Sequence, residues 1–254
     1  MRGDAHGAVE APYRTLVAEF NRQRGRTARM QGERQRRVHD AWRCFSWLWL
    51  VCASAAEAGC GAESWAQTAP DQLQPTQYKA AARSYEEDCE GGSEQACSYL
   101  GFMYDNALGV NQDIPRAVAL SEHGCTAGIA YGCAYLGYLL QTGRGVTADP
   151  ARAARLFRKA CDGSDASGCL LLGIMYKTGG DVTADAEYAV QLFGRACELG
   201  ESIACVSLGY MYANGEGVDR NETRAQELFR AACKRDDSIG CQASSQLSQR
   251  QPVP

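Results

Sequence analysis

The stretch Arg152–Glu187, RAARLFRKACDGSDASGCLLLGIMYKTGGDVTADAE, recurs along the chain with a period of 36 residues. Aligned on it, Cys89, Cys125, Cys161, Cys197 and Cys233 each stand 36 residues after the last. Cys97, Cys133, Cys169, Cys205 and Cys241 follow them by eight residues each. No unit carries an insertion or a deletion. A fixed period of this length is the signature of a solenoid, in which one supersecondary unit stacks on its copies. The five units begin at Ala80, Arg116, Arg152, Tyr188 and Arg224.

Within the third unit, Asp149 is a good N-cap and Pro150 suits the first helical position, where its missing N–H costs nothing. Ala154, Leu156, Phe157 and Ala160 follow at helical spacing. The Asp162-Gly163-Ser164 triplet breaks that helix. A second one follows, with Cys169, Leu172, Gly173, Met175 and Tyr176 spaced for burial, and Thr178-Gly179-Gly180 ends it. Asp113, Asp185 and Asn221 take the capping position in the neighbouring units. The reading is all-α, an array of helical hairpins.

The cysteine spacing agrees with a hairpin. Eight residues along one continuous helix span about 12 Å, whereas a disulfide needs Cα atoms within about 7 Å. A Cys-x7-Cys pair closes only if the chain reverses between its members.

The pairs Leu100-Gly101, Leu136-Gly137, Leu172-Gly173 and Leu208-Gly209 recur identically. Glycine inside a helix costs about 1 kcal/mol relative to alanine, so its recurrence predicts close approach of an adjacent helix. Tyr104, Tyr176 and Tyr212 share one slot, filled by Leu140 in the second unit, and read as packing between hairpins. The fifth unit replaces Leu-Gly with Ser244-Ser245 and is expected to cap the array with a polar face.

Thirteen cysteines is an odd number, and regular spacing reads as a disulfide framework in an oxidising compartment. Residues 1–29 show no periodicity and are expected to be a disordered extension, with Met30 an alternative start. Arg34, Arg36, Arg37 and Arg43 then precede the apolar run Cys44–Ala56, which is in the range of a signal-peptide core and short for a membrane span. A signal peptide over 30–66, cleaved after Ala66, removes Cys44, Cys52 and Cys60 and leaves ten cysteines. Glu57-Ala58-Gly59-Cys60 resembles a lipoprotein cleavage site, although Glu57 stands where such sites have an aliphatic residue. Arg36-Arg37 lacks the residues that follow in a twin-arginine signal, and a mitochondrial presequence fits the compact apolar run poorly. Residues 67–79 read as linker and lead-in, 80–246 as the repeat domain and 247–254 as a disordered tail.

The chain has 254 residues, 45% apolar and 22% charged. Residues 1–43 hold ten arginines against five acids, while residues 67–254 hold 16 basic and 23 acidic side chains. An acidic body argues against nucleic-acid binding. No membrane span is expected once the signal is removed, and a monomer is expected.

A search for chemistry finds little. Lys177-Thr178-Gly179 spells a motif of serine β-lactamases, but it aligns with Gln141-Thr142-Gly143 and Ala213-Asn214-Gly215, and no Ser-x-x-Lys exists in the chain. His6 and His39 fall in the removable N-terminus. Only His123 remains, against the three ligands a catalytic zinc normally takes, and it reads as a surface residue late in a helix. Gly143-Arg144-Gly145 lacks the spacing of a phosphate loop. No catalytic residue is identified, and no cofactor or metal is expected.

Taken together, Ala153-Ala154-Arg155-Leu156-Phe157, Ala160-Cys161, Gly168-Cys169, Leu172-Gly173-Ile174-Met175-Tyr176 and the loop Gly143-Arg144-Gly145-Val146 resemble the Sel1-like repeat, a relative of the tetratricopeptide repeat. The paired cysteines resemble the subset known as Helicobacter cysteine-rich proteins. Ala107 and Asp181 depart from the loop glycines, which bears on loop shape and not on fold. The resemblance covers about residues 78–246 and implies a right-handed α/α superhelix with one disulfide per repeat. The bonded pairs would be Cys89 with Cys97, Cys125 with Cys133, Cys161 with Cys169, Cys197 with Cys205 and Cys233 with Cys241. It also implies a scaffold that gathers protein or peptide partners on a concave face, which the signal-peptide reading would place outside the cytoplasm. The subset implies instead a β-lactam-binding protein with weak β-lactamase activity, its groove holding a cell-wall peptide or its mimic. A further implied role is assembly factor in an oxidising compartment.

Overall fold

The computed structural model describes Pro70 and residues 73–179 and 181–250. The extension and signal segment expected over 1–66 lie outside these residues. Among the described residues there are ten helices and no strand, as the repeat pattern predicts. Each unit is a pair: α1 (Tyr78–Glu90) with α2 (Glu94–Asn106), α3 (Ile114–Thr126) with α4 (Ala130–Thr142), and α5 (Pro150–Asp162) with α6 (Ala166–Thr178). Then come α7 (Ala186–Glu198) with α8 (Ser202–Asn214), and α9 (Glu222–Lys234) with α10 (Ser238–Arg250).

The boundaries follow from local chemistry. Side chains of Asp113, Asp149, Asp185 and Asn221 accept from the backbone N–H three residues on, capping α3, α5, α7 and α9. The turn inside each hairpin places one residue in the left-handed region, always at the same register: Gly92, Gly128, Ser164, Gly200 and Asp236. In the third unit it is Ser164 and not the neighbouring Gly163 that takes this conformation. Ser93, Asp165 and Asp237 then cap the second helices. This second set of caps was not read from the sequence.

Five disulfides close the hairpins, one per repeat, with Cα atoms 4.3–4.7 Å apart. Chain reversal between the cysteines is what makes this distance possible. The helical glycines serve the close approach inferred for them. A Cβ on Gly137, Gly173 or Gly209 would stand 2.6–2.8 Å from the ring of Phe157, Phe193 or Phe229 on the next first helix. Those phenylalanines are fully buried.

One junction differs. Aligned with the three phenylalanines is Ser121, and a Cβ on Gly101 would meet its Oγ and the Ala117 carbonyl at 3.1 Å. Here helices α2 and α3 meet without an intervening ring. The buried apolar side chains accordingly form two clusters. One runs from Leu73 to Ala117; the other starts at Cys125 and extends to Leu247.

The ends of the array also differ in detail from the sequence reading. Pro70 and Leu73, within the expected linker, are buried, and Leu73 packs in the first cluster. At the other end, α10 continues to Arg250 with Leu247 buried, four residues into the stretch expected as a tail. A polar end is nevertheless present: Gln226 Nε2 donates to the Ser244 carbonyl and to Ser244 and Ser248 hydroxyls.

Candidate functional site on the second-helix face

Charge is distributed unequally between the two rows of helices. In α2, α4, α6 and α8 the only charged residues are Glu94, Asp105 and Lys177. In contrast, α5 alone carries Arg152, Arg155, Arg158, Lys159 and Asp162. First helices are joined by ion pairs 30 residues apart, Arg116 to Glu86 at 3.1 Å and Arg152 to Glu122 at 2.9 Å. The second helices present a neutral face.

That face carries a row of large side chains at the repeat period: Phe102, Tyr138, Ile174 and Tyr210. The first three are half-buried and Tyr210 is exposed. Beside the row, aromatic rings from the first two repeats pack across their junction. Phe102 lies 5.2 Å from Tyr135 and 6.4 Å from Tyr131, and Tyr99 lies 4.9 Å from Tyr131. Tyr131, Tyr135 and Tyr138 stack successively at 6.4 and 6.0 Å.

A polar network anchors this aromatic strip. The buried Asp105 accepts from the Tyr135 hydroxyl at 2.5 Å and pairs with Arg144 Nε at 2.5 Å. Arg144 Nη2 and Gln112 Nε2 both donate to the Asp105 carbonyl. Asn106 Nδ2 donates to the Tyr135 hydroxyl at 3.1 Å. Burial, then the nearby Asp105 charge and its hydrogen bond, holds the Tyr135 phenol far above the ordinary tyrosine range. Burial also raises Tyr138, against an opposing effect of Arg144. Desolvation disfavours the Arg144 cation, but the hydrogen bond and charge of Asp105 outweigh it and raise its pKa.

The sequence reading identified none of these as site residues. Asp105 and Arg144 are 39 residues apart, a period plus three, so aligned repeats hide their pairing. The tyrosine slot it did notice has the structural role expected of it. Arg116 of the next hairpin lies over the Tyr104 ring at 4.4 Å, and Tyr176 meets Tyr188 of the next hairpin edge-on at 4.8 Å. Lys177 of the β-lactamase-like triplet lies in the last turn of α6 and pairs with Glu216 at 3.3 Å. It stands on a helix, not on the strand that chemistry needs. His123 is exposed and pairs with Glu94 at 2.6 Å. Among the described residues, no helix is long and apolar enough to cross a membrane.

The Sel1 repeat model matches four successive segments, residues 94–128, 130–165, 166–201 and 202–237, together more than half of the chain. The chain belongs to the Sel1 repeat family. No curated protein matches it. Among solved structures, a Sel1 repeat protein from Oxalobacter formigenes is 22% identical with a TM-score of 0.61, covering 70% of this chain and 74% of its own. A protective antigen of uropathogenic Escherichia coli strains, displaying an SLR fold, is 28% identical with a TM-score of 0.57 over 66% of this chain. The match spans only 36% of that antigen's length. Helicobacter pylori cysteine rich protein B is 27% identical, with a TM-score of 0.43, over 52% of this chain and 94% of its own. The Sel1 repeats and their disulfides thus make this chain a stapled helical scaffold.

Proposed function

We propose that this Sel1 repeat chain is exported and binds a protein or peptide partner along the second-helix face of its first four repeats. The observation that carries this reading is the contrast between the two helix rows. A neutral row bearing Phe102, Tyr138, Ile174 and Tyr210 lies beside a highly charged one. Aromatic side chains supply large contact area at low entropy cost, and interface centres are depleted of charge. An uncharged extended segment fits this face, because bringing a charge onto it would desolvate that charge without a partner. Five disulfides in one short chain support an oxidising compartment.

Selection of a displayed random-peptide library on the chain tests the proposal. The expected result is enrichment of uncharged peptides that bind the chain and lose at least about tenfold in affinity when Tyr138 and Tyr210 are both replaced by alanine. Peptides that bind the double variant equally well would place the interface elsewhere. Incubation with a fluorescent penicillin separates the hydrolase alternative; no adduct and no turnover are expected.

A further inference from the structure

Glu94, Cys97 and His123 bring one potential ligand atom each to within 4.8 Å of one another. Cys97 is bonded to Cys89, so a second sulfur occupies the same place. Three successive helices supply these groups. Cys89 ends α1, Glu94 and Cys97 share a face in the first turns of α2, and His123 lies in the last turn of α3. The other junctions lack the set. Positions aligned with Glu94 are Ala130, Ala166, Ser202 and Ser238, and those aligned with His123 are Lys159, Arg195 and Ala231.

While the disulfide is closed, neither sulfur is a thiolate, the form that binds metal. We infer that reduction of Cys89–Cys97 turns this junction into a four-coordinate site for zinc. Its ligands are the two thiolates, the His123 imidazole and the Glu94 carboxylate. Two thiolates, one carboxylate and a neutral imidazole around Zn²⁺ leave a single net negative charge. The sulfur and nitrogen donors favour zinc over calcium or magnesium, which take oxygen ligands.

The reductant is a dithiol. It delivers two electrons to the Cys89–Cys97 bond, closes its own disulfide and passes its two thiol protons to the cysteine sulfurs. Zinc then releases those two protons on binding. The sulfurs, 2.03 Å apart when bonded, must separate to about 3.8 Å, as tetrahedral geometry with Zn–S near 2.3 Å requires. Cys89 is only part-buried and His123 is exposed, so reductant and metal both have access. The three middle disulfides are buried at both cysteines; Cys233 and Cys241 are part-buried too, but no histidine or carboxylate stands at the positions aligned with His123 and Glu94 beside them.

The experiment uses the full chain in which Cys44, Cys52, Cys60 and Cys89 are serine, so that Cys97, Glu94 and His123, three of the four ligands, are available while four disulfides stay closed. Cobalt(II) serves as the optical probe and zinc as its competitor. One equivalent of cobalt is expected, with a thiolate-to-cobalt absorption band that zinc abolishes. Adding His123→Ala is expected to weaken binding at least about tenfold; circular dichroism verifies that the helices persist. In the parent chain reduced by a dithiol, zinc is expected to slow alkylation of Cys89 and Cys97 selectively. Unchanged affinity in H123A would overturn the inference, as would equal zinc protection of all ten repeat cysteines or equal zinc binding by the fully oxidised chain. Absence of zinc protection at Cys89 and Cys97 in the dithiol-reduced parent chain would overturn it as well.

Discussion

Asp105 and Arg144 meet at 2.5 Å across the junction of the first two repeats, and Lys177 and Glu216 occupy the same two positions two repeats later with their charges exchanged. The geometry is preserved while the polarity is reversed. Burial separates the two pairs: the Asp105 side chain is 2% exposed, whereas Lys177 and Glu216 are 32% and 38% exposed.

Arg144→Ala leaves the buried Asp105 without its cation and is expected to destabilise the chain by about 1–3 kcal/mol, discounted for the exposure of the arginine. Lys177→Ala is expected to cost under about 1 kcal/mol. Thermal melts of the two variants decide the matter. Equal losses would show that burial of Asp105 is not what distinguishes the pairs.

Tyr135 carries a pH signature. Its folded-state pKa is raised by burial and by Asp105, so its stabilising effect is complete below the ordinary tyrosine value of about 10 and declines as pH rises beyond it. Tyr135→Phe should cost about 1–2 kcal/mol at pH 7, because the hydrogen bond to Asp105 is lost. The same variant should show a shallower loss of stability between pH 10 and 12. Denaturant titrations across that window check both parts, and a slope identical to the parent would contradict the assignment.

Two glycine substitutions should act in opposite directions. Gly173→Ala places a Cβ 2.8 Å from the buried Phe193 ring and is expected to destabilise by about 1–3 kcal/mol. Gly194→Ala, in α7 with open space around the new atom, should stabilise by about 0.5–1 kcal/mol through helix propensity. Melting temperatures moving in the same direction would refute the packing role of the recurring glycines.

Replacing Cys161 and Cys169 together by serine removes one staple. A loss of about 2–3 kcal/mol is expected, seen as a lower melting temperature with unchanged helical circular dichroism. A parent-like melt would mean that the bond adds nothing to an already packed hairpin.

Much of this architecture is legible in the sequence because each repeat repeats its own evidence. Asp149, Leu172-Gly173 and the cysteine pair have counterparts at fixed distance, so one hairpin interprets the others. What escapes that reading is whatever departs from the period. Ser121 looks unremarkable until alignment sets it against Phe157, Phe193 and Phe229, and its effect appears only as a divided core. Asp105 and Arg144 are invisible to a 36-residue comparison because their partnership crosses a junction off register. The boundary residues Leu73 and Leu247 were misjudged for a related reason. Polar, proline-containing flanks suggest unstructured chain, yet a single leucine in each finds the unpaired apolar end of the stack.

Among the described residues the disulfides all lie inside repeats and none joins one repeat to the next. Under tension applied at the two termini, a closed hairpin cannot lengthen through the turn that its own sulfur bond spans. The helices on either side of each stapled turn, and the junctions between repeats, carry no such covalent tie, so any lengthening has to come from them. Pulling force thus meets five fixed points, one per repeat, and is borne elsewhere by packing alone.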